Sequence, residues 1–193
     1  MIDAMEYRQA TEADVQAMAG LFAAAHHDAL TERQRGEQGF VQGNLDAAAL
    51  RAMVDAGSLL LADDDGRVAG FLALSLPADL PDQPPPVRAL LDAQGSLQWQ
   101  GRPLSAVRWL LYGPVLVDPA YRGRGVARGL FTRAVETASG RADAIVAFIE
   151  DANQRSRRVH VEGFGMLPLG EFVADGRTYG VVAAPARGQP GTA

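Results

Sequence analysis

The stretch from Val115 to Ala127 constrains the fold more than any other part of the chain. It reads Val-Leu-Val-Asp-Pro-Ala-Tyr-Arg-Gly-Arg-Gly-Val-Ala, which predicts a buried strand, a glycine-rich turn and a helix that begins near Gly125. The first turn of a helix leaves backbone N–H groups without intrahelical partners, and the helix dipole adds positive potential there. Because Gly123 and Gly125 lack a Cβ, the backbone can approach a ligand closely. The pattern therefore predicts a binding site for a phosphate or diphosphate group.

Length and composition favour one globular domain with its own core. The chain has 193 residues, of which 48% are hydrophobic, and a net charge of -5. The acidic balance disfavours nucleic acid as a partner, because a phosphate backbone needs a basic face. No apolar run reaches the length of a membrane span, and the N-terminus lacks the pattern of a signal peptide. We therefore expect a cytoplasmic protein with no membrane partner.

The sequence contains no cysteine, and all 18 of its basic residues are arginine. The lack of cysteine excludes disulfides and thiol catalysis, and it fits a reducing compartment. The lack of lysine excludes a Schiff-base nucleophile and a P-loop lysine. His26, His27 and Glu37 lie in one polar segment, but their spacing matches no metal site, so no metal is expected.

The spacing of apolar residues predicts an α/β (α+β) fold with a mixed, mostly antiparallel sheet of about seven strands and helices on both faces. Residues 1–184 are expected to form one domain, and 185–193 a disordered tail. The proline-rich segment 77–106 is interpreted as an insert loop with one helical turn around 87–91. The predicted strands are 6–8, 58–62, 67–76, 107–117, 144–149, 165–173 and 177–184, with hairpin turns at 63–66 and 175–176. Pro114 is expected to disturb the ladder of strand 107–117. The predicted helices follow Thr11, Asn44, Gly125 and Asn153; the first has an apolar stripe and pairs Thr11 with Asp14 as in a capping box, and the last covers 153–162.

The hexapeptide Arg-Gly-Arg-Gly-Val-Ala at 122–127 resembles the Gln/Arg-x-x-Gly-x-Gly/Ala signature of the GNAT acetyltransferases. A strand that ends in Val-Asp-Pro at 117–119 precedes it, and an amphipathic helix follows. Asn153 and the Gly-Phe pair at 163–164 are similar to the next motif of the family. The order of elements matches over about 6–184. The resemblance implies an acyl-CoA N-acyltransferase-like fold that transfers an acetyl group from acetyl-CoA directly to a primary amine.

The resemblance also implies where the cofactor lies. Strands 107–117 and 144–149 would splay apart, the backbone at 115–117 would pair with the pantetheine arm, and the amides at 123–127 would hold the diphosphate. An ordinary turn whose glycines serve only tight packing is the structural alternative. The implied cofactor-binding residues are Val115, Leu116, Val117, Arg122, Gly123, Arg124, Gly125, Val126, Ala127 and Asn153.

Three residues are catalytic candidates. The family often has a tyrosine seven residues after the asparagine, as acid for the leaving thiolate, and His160 occupies that position here. Tyr179 in the last strand is the alternative donor. The structural interpretation of His160 is a partly buried histidine with a structural hydrogen bond, and that of Tyr179 is a core residue. Glu150 follows a predicted strand at the sheet edge where ligands bind, so it is the first candidate for the general base, with Asp151 in the same turn.

The acceptor is less constrained. The segments 26–43 and 77–106 would select an amine on a small molecule or a peptide. The sequence is also compatible with a homodimer. Aromatic and basic side chains could either line the site or serve packing and solvation: Trp99, Trp109, Tyr112, Arg155, Arg157 and Arg158. A non-catalytic acyl-CoA-binding module and a nucleotide or sugar-phosphate binder that uses the same turn are the alternative functions.

Overall fold

The computed structural model describes residues 5–80 and 83–186. Within these residues, seven strands form one mixed, mostly antiparallel sheet in the order β1-β2-β3-β6-β7-β9-β8, and β4 pairs with β5 separately. The strands are β1 Glu6–Gln9, β2 Leu59–Asp64, β3 Arg67–Ser75, β4 Gln98–Trp99, β5 Arg102–Pro103, β6 Trp109–Val117, β7 Ala144–Glu150, β8 Leu167–Ala174 and β9 Arg177–Pro185. The helices are α1 Val15–Ala25, α2 Glu32–Gln38, α3 Ala47–Asp55, α4 Pro85–Ala93, α5 Val126–Ala138 and α6 Gln154–Arg158.

Two compact units are distinguished by their internal contacts. The first comprises Met1–Leu74 with Tyr112–Ala134, and the second Ser75–Leu111 with Val135–Ala193. The predicted mixed sheet of about seven strands is confirmed. The assignment of 1–184 to one domain stays a prediction, and of the predicted tail, residues 187–193 lie outside the described residues.

The core of the first unit forms where α1 and α3 meet the strands. Val15, Met18 and Phe22 recur at helical spacing on α1, and all three are buried. Leu59 and Leu61 of β2 join them, because every second residue of a strand lies on the same face. The predicted apolar stripe of α1 therefore faces a core, which makes this helix part of the scaffold.

Helix starts in the first unit depend on carboxylates. The predicted pair of Thr11 and Asp14 is confirmed: the Thr11 backbone N–H and hydroxyl both donate to Asp14 Oδ2, each at 2.8 Å. The prediction that Asn44 caps the second long helix is wrong. The cap is Asp46, whose Oδ1 accepts the Ala48 and Ala49 amides at 3.0 and 2.9 Å. Two accepted amides stabilise the start at Asp46, so α3 begins later than predicted.

The hairpins follow their turn residues. Asp65 and Gly66 both have positive φ, 50° and 82°, and connect β2 to β3. Asp175 and Gly176 do the same between β8 and β9, with φ of 48° and 73°. Two consecutive positive φ values define the turn type that matches the twist of paired strands. Both predicted hairpins are confirmed.

The segment 77–106 is more regular than the predicted loop with one helical turn. It contains the nine-residue helix α4, which begins with two prolines at its first positions, where the missing N–H costs nothing. Leu90, Leu97 and Leu104 are at most 2% exposed and join the core of the second unit. Apolar side chains between the prolines therefore decide the structure of this segment.

The region after β7 also departs from the prediction of one helix over 153–162. Helix α6 covers Gln154–Arg158 and continues as one π-helical stretch, Val159–Gly163. Gly165 has φ of 73°, so β8 begins only at Leu167. A π-turn inside a helix adds a residue and changes the direction of the side chains that follow.

Candidate functional site

The turn between β6 and α5 has the conformation that the sequence predicts. A short 3-10 turn, Pro119–Tyr121, follows β6, and Asp118 Oδ1 accepts the Ala120 amide at 2.8 Å. Gly123 and Gly125 have φ of 76° and 81°, values that other residues rarely adopt. A Cβ built at either glycine meets no atom within 4 Å, so the glycines serve the backbone conformation and leave open space. Tight packing, the structural alternative, is not what these two glycines serve.

Backbone amides at the start of α5 are available to a ligand. The hydrogen bond from the Gly129 amide to the Gly125 carbonyl, 3.0 Å long, opens the α-helical series. The amides of Val126 and Ala127 precede it and have no acceptor four residues back within the helix. Residues 122–125 are exposed, so this end of the helix faces solvent. The arrangement suits an anion.

Tyr121 anchors this turn, and sequence reasoning missed it. The residue is 4% exposed, and its hydroxyl donates to Asp64 Oδ2 at 2.6 Å. This hydrogen bond to a carboxylate raises the pKa of Tyr121. The Arg124 and Arg67 guanidiniums lie 5.4 and 5.8 Å from the centre of its ring. Because Asp64 is 57 residues away in sequence, no local pattern signals the contact.

Strand β6 leads into the turn. Leu116 is 5% exposed and belongs to the core of the first unit, whereas Val115 and Val117 are partly exposed. The Gly113–Pro114 peptide bond is cis. Proline has no N–H, so Pro114 cannot donate a ladder hydrogen bond. The separation of the two strands beside the cofactor stays a prediction.

Arg122 is already engaged within the protein. Its guanidinium donates to Gln38 Oε1 at the end of α2. Helix α2 has no buried residue, and it is held by polar contacts such as the bonds from Arg35 to the carbonyls of His27 and Leu30 at 3.1 and 2.7 Å. The polar segment 26–43 therefore contacts the candidate anion turn through Gln38.

Glu150 is the last residue of β7 in the second unit. Its side chain is 16% exposed, and Oε2 lies 3.5 Å from the Arg177 guanidinium. In the antiparallel pairing it lies opposite Tyr179. Asp151 follows, with a half-exposed side chain whose Oδ1 lies 3.8 Å from Arg157. Of the two carboxylates, Glu150 is the better buried, and it has a cation to hold it in place.

Asn153 has a structural contact of its own. It is 7% exposed, and its Oδ1 accepts the Ser156 amide at 3.3 Å, so it caps α6. Arg155, Arg157 and Arg158 follow on α6, and Arg157 is half-exposed beside Asp151. Capping is the structural role that these contacts give Asn153, and its contact with the cofactor stays a prediction.

His160 is held on the π-helical stretch. It is 4% exposed, and Nδ1 lies 2.8 Å from the Ser156 carbonyl oxygen. Only an N–H can donate to a carbonyl, so Nδ1 carries the proton of the neutral ring and Nε2 is the acceptor. Burial lowers the pKa of His160. At neutral pH the ring is therefore uncharged, which is the wrong form for a proton donor.

Tyr179 belongs to an aromatic cluster in the second unit. Its ring stacks on Phe172 with centroids 5.3 Å apart, and Phe148 meets it edge-on at 5.7 Å. It is 4% exposed, and burial, followed by the charge of Glu150, raises its pKa. These contacts match the core interpretation of a strand tyrosine.

The remaining candidates are mainly packing residues. Trp99 and Trp109 are 4% and 7% exposed in the core of the second unit, and Tyr112 is buried against Phe131 in the first. In residues 5–80 and 83–186, no group of three or more His, Asp or Glu side chains is placed to bind a metal. No described helix is long and apolar enough to cross a bilayer.

This architecture is that of an acyl-CoA N-acyltransferase-like protein. The chain belongs to the acetyltransferase (GNAT) family, whose sequence model matches residues 23–166. The predicted family resemblance is thereby confirmed. No curated protein sequence matches the chain.

Solved structures agree on the fold. An acetyltransferase of the GNAT family from Streptococcus agalactiae has a TM-score of 0.68 at 15% identity, over 96% of this chain and 97% of that one. The protein yncA from Salmonella typhimurium, solved with its cofactor acetyl-CoA, has a TM-score of 0.62 at 19% identity, over 98% of each chain. A ribosomal-protein-alanine N-acetyltransferase from Brucella melitensis has a TM-score of 0.60 at 19% identity, over 93% of this chain and 99% of that one.

Proposed function

We propose that the protein transfers the acetyl group of acetyl-CoA to a primary amine by direct attack in a ternary complex. The observation that carries this proposal is the turn at 122–125, which is exposed and has two glycines of positive φ, together with the amides that precede the first helical hydrogen bond of α5. Membership of an acetyltransferase family and the acetyl-CoA complex of yncA support the choice of donor.

The cofactor would be held mainly by backbone groups. The diphosphate binds the amides of Gly123, Gly125, Val126 and Ala127, where the α5 dipole adds positive potential, while the Arg124 amide donates to the Tyr121 carbonyl. Arg122 and Arg124 lie beside these amides and supply charge-assisted donors. The backbone of Val115, Leu116 and Val117 pairs with the pantetheine arm, and Asn153 is among the cofactor contacts that the family resemblance implies. The half-exposed Arg157 on α6 is available to the 3'-phosphate.

Glu150 is the general base of this proposal. An amine is mostly protonated at pH 7 and must lose a proton before it attacks a thioester. Glu150 is largely shielded from solvent and is oriented by Arg177, so its carboxylate can accept that proton. A backbone N–H near Leu116 stabilises the oxyanion that forms on the attacked carbonyl. Since the chain has no cysteine, no acyl-thiol intermediate forms on the protein.

Two residues are predicted proton donors for the leaving thiolate. His160 and Tyr179 stay predictions, and the contacts of both favour structural roles. A thiol has a pKa of about 8.5, so a thiolate leaves without full protonation and a dedicated acid is not required. The structural contacts of His160 and Tyr179 also support the second candidate function, a module that binds acyl-CoA and does not transfer the acyl group.

A thiol-release assay separates the two functions. Acetyl-CoA is incubated with the protein and a panel of amines that includes free amino acids, polyamines and peptides with alanine at the N-terminus. Release of free coenzyme A that depends on one class of amine, and that is lost in Glu150→Gln, supports transfer. Tight binding of coenzyme A without release across the panel supports the binding module. Failure to bind coenzyme A overturns both.

A further inference from the structure

We propose that Tyr121 and Asp64 are positioning residues that hold the diphosphate-binding amides in place, an inference that rests on the proposed function. Tyr121 directly precedes the turn, and its buried hydroxyl donates to Asp64 at the end of β2 at 2.6 Å. Neither residue belongs to the predicted cofactor contacts. Both act through the backbone and through Arg124.

The turn needs an external anchor because it cannot fix its own conformation. Residues 122–125 are exposed, and two of the four are glycines, which have more backbone freedom than any other residue. A ligand that must first order such a turn binds more weakly, because ordering costs free energy. The nearest buried side chains are those at the two ends, Tyr121 and Val126, with 4% and 2% exposure.

Both ends of the turn contact β3 and its hairpin. The Asp118 amide donates to the Ala69 carbonyl at 2.9 Å, which fixes the backbone just before Tyr121. A Cβ at Gly70 would lie 3.3 Å from Val126 Cγ1 and 2.5 Å from the Leu116 carbonyl oxygen, so this glycine lets the start of α5 and the end of β6 approach. The hairpin therefore holds the amides between two fixed points.

The ring of Tyr121 also orients a cation. The Arg124 guanidinium lies over the ring, 5.4 Å from its centre, and the Arg124 backbone amide donates to the Tyr121 carbonyl at 3.3 Å. Arg67 lies 5.8 Å from the same ring, and the Asp64 carboxylate accepts the hydroxyl. Two cations on one ring are stabilised by its electron-rich face and by a nearby carboxylate. Arg124 is thereby kept beside the amides that would meet the diphosphate.

Calorimetric titration of five variants, Asp64→Ala among them, tests the inference. Tyr121→Leu removes the ring and the hydroxyl, and we expect it to raise the Kd for coenzyme A about tenfold. Tyr121→Phe keeps the ring, and we expect about a threefold rise. In the double variant Tyr121→Phe with Asp64→Ala, the Kd for coenzyme A should rise by less than the product of the rises in the two single variants, because both changes remove the same hydrogen bond. Glu12→Gln removes a carboxylate from an exposed ion pair elsewhere in the first unit and should bind as the unchanged protein does.

Pantetheine, which lacks the diphosphate, distinguishes positioning from general loss of structure. Its Kd should be the same in the unchanged protein and in every Tyr121 variant. Equal Kd values for coenzyme A in the unchanged protein, Tyr121→Leu and Tyr121→Phe would overturn the inference, as would a parallel loss of pantetheine binding. If Tyr121→Leu does not fold, Tyr121→Phe and Asp64→Ala decide. No binding of coenzyme A by the unchanged protein would overturn the proposed function instead.

Discussion

Nδ1 of His160 lies 2.8 Å from the carbonyl oxygen of Ser156, one turn earlier on the same helical segment. This contact places the proton of the neutral ring on Nδ1 and leaves Nε2 without one. The position at which the family often has a tyrosine is thus occupied by a buried, uncharged base. Whether this residue protonates the leaving thiolate is therefore a question for experiment.

The structural interpretation of His160 gives a pH prediction. Burial favours the neutral ring and lowers its pKa below 6.5, so the folded state binds fewer protons than the unfolded state just below that pH. The free energy of unfolding should therefore fall as the pH falls from 7 through 6, and His160→Gln should remove that part of the slope. Denaturant unfolding at several pH values measures it.

The same variant tests the catalytic role of His160. Loss of a general acid lowers turnover about 100-fold or more. We expect His160→Gln to keep turnover within a few-fold of the unchanged protein at saturating acetyl-CoA. A loss of about 100-fold with an unchanged Kd for acetyl-CoA would make His160 the proton donor.

Glu150→Gln should lower turnover about 100-fold or more and change the Kd for acetyl-CoA little, because the base acts on the amine. Asp151→Asn is the matched control, since it removes a carboxylate from the same turn that is half-exposed. Steady-state kinetics with the amine found by thiol release measures both. Equal turnover in Glu150→Gln and the unchanged protein would rule out Glu150 as the base.

The cluster of Arg8 with Asp14 and Asp63 should stabilise the first unit. Arg8 donates to both oxygens of Asp14 at 2.8 and 2.9 Å, and this bond, with the Thr11 donors, lowers the pKa of Asp14 to about 2. The contribution of the carboxylate, about 2 kcal/mol, is complete above pH 4 and is lost as the pH falls towards 2.

Chemical denaturation of Asp14→Asn at pH 7 measures that contribution, with a decrease of about 2 kcal/mol in the free energy of unfolding expected. Glu12→Gln is the control, because the pair of Glu12 with Arg51 is exposed and solvent-screened. Equal stability of Asp14→Asn and Glu12→Gln would show that the cluster contributes nothing.

Trp99 should be a core residue of the second unit. It is 4% exposed, so Trp99→Ala should cost about 3–5 kcal/mol through lost burial and the cavity that remains. Leu76→Ala, which truncates a side chain that is 47% exposed, should stay within about 0.5 kcal/mol. Thermal and urea unfolding compare the two. If the Trp99→Ala protein were as stable as Leu76→Ala, Trp99 would not be a core residue, and its interpretation as part of the acceptor site would be favoured.

Local sequence patterns predicted the parts of the fold that depend on local chemistry. The two hairpins follow from Asp-Gly turns, and the anion turn from glycines that need positive φ. The segment 77–106 was harder to predict because its prolines suggest a loop, whereas Leu97 and Leu104 are buried by distant strands.

Long-range contacts explain what the sequence could not reveal about the site. Asp64 meets Tyr121, and Gln38 meets Arg122, across 57 and 84 residues. The environment of His160 depends on a π-helical stretch that no spacing rule predicts. The residues whose backbone would bind the ligand are adjacent in sequence, whereas the residues that orient them come from elsewhere in the chain.

Titration of coenzyme A into the unchanged protein and into Gly125→Glu tests the central claim most directly. Gly125 has φ of 81° and open space beyond its Cα, so glutamate adds strain and projects a carboxylate at the amides that would hold the diphosphate. We expect micromolar or tighter binding by the unchanged protein and no measurable binding by the folded variant. Equal affinity of the two proteins would contradict the account.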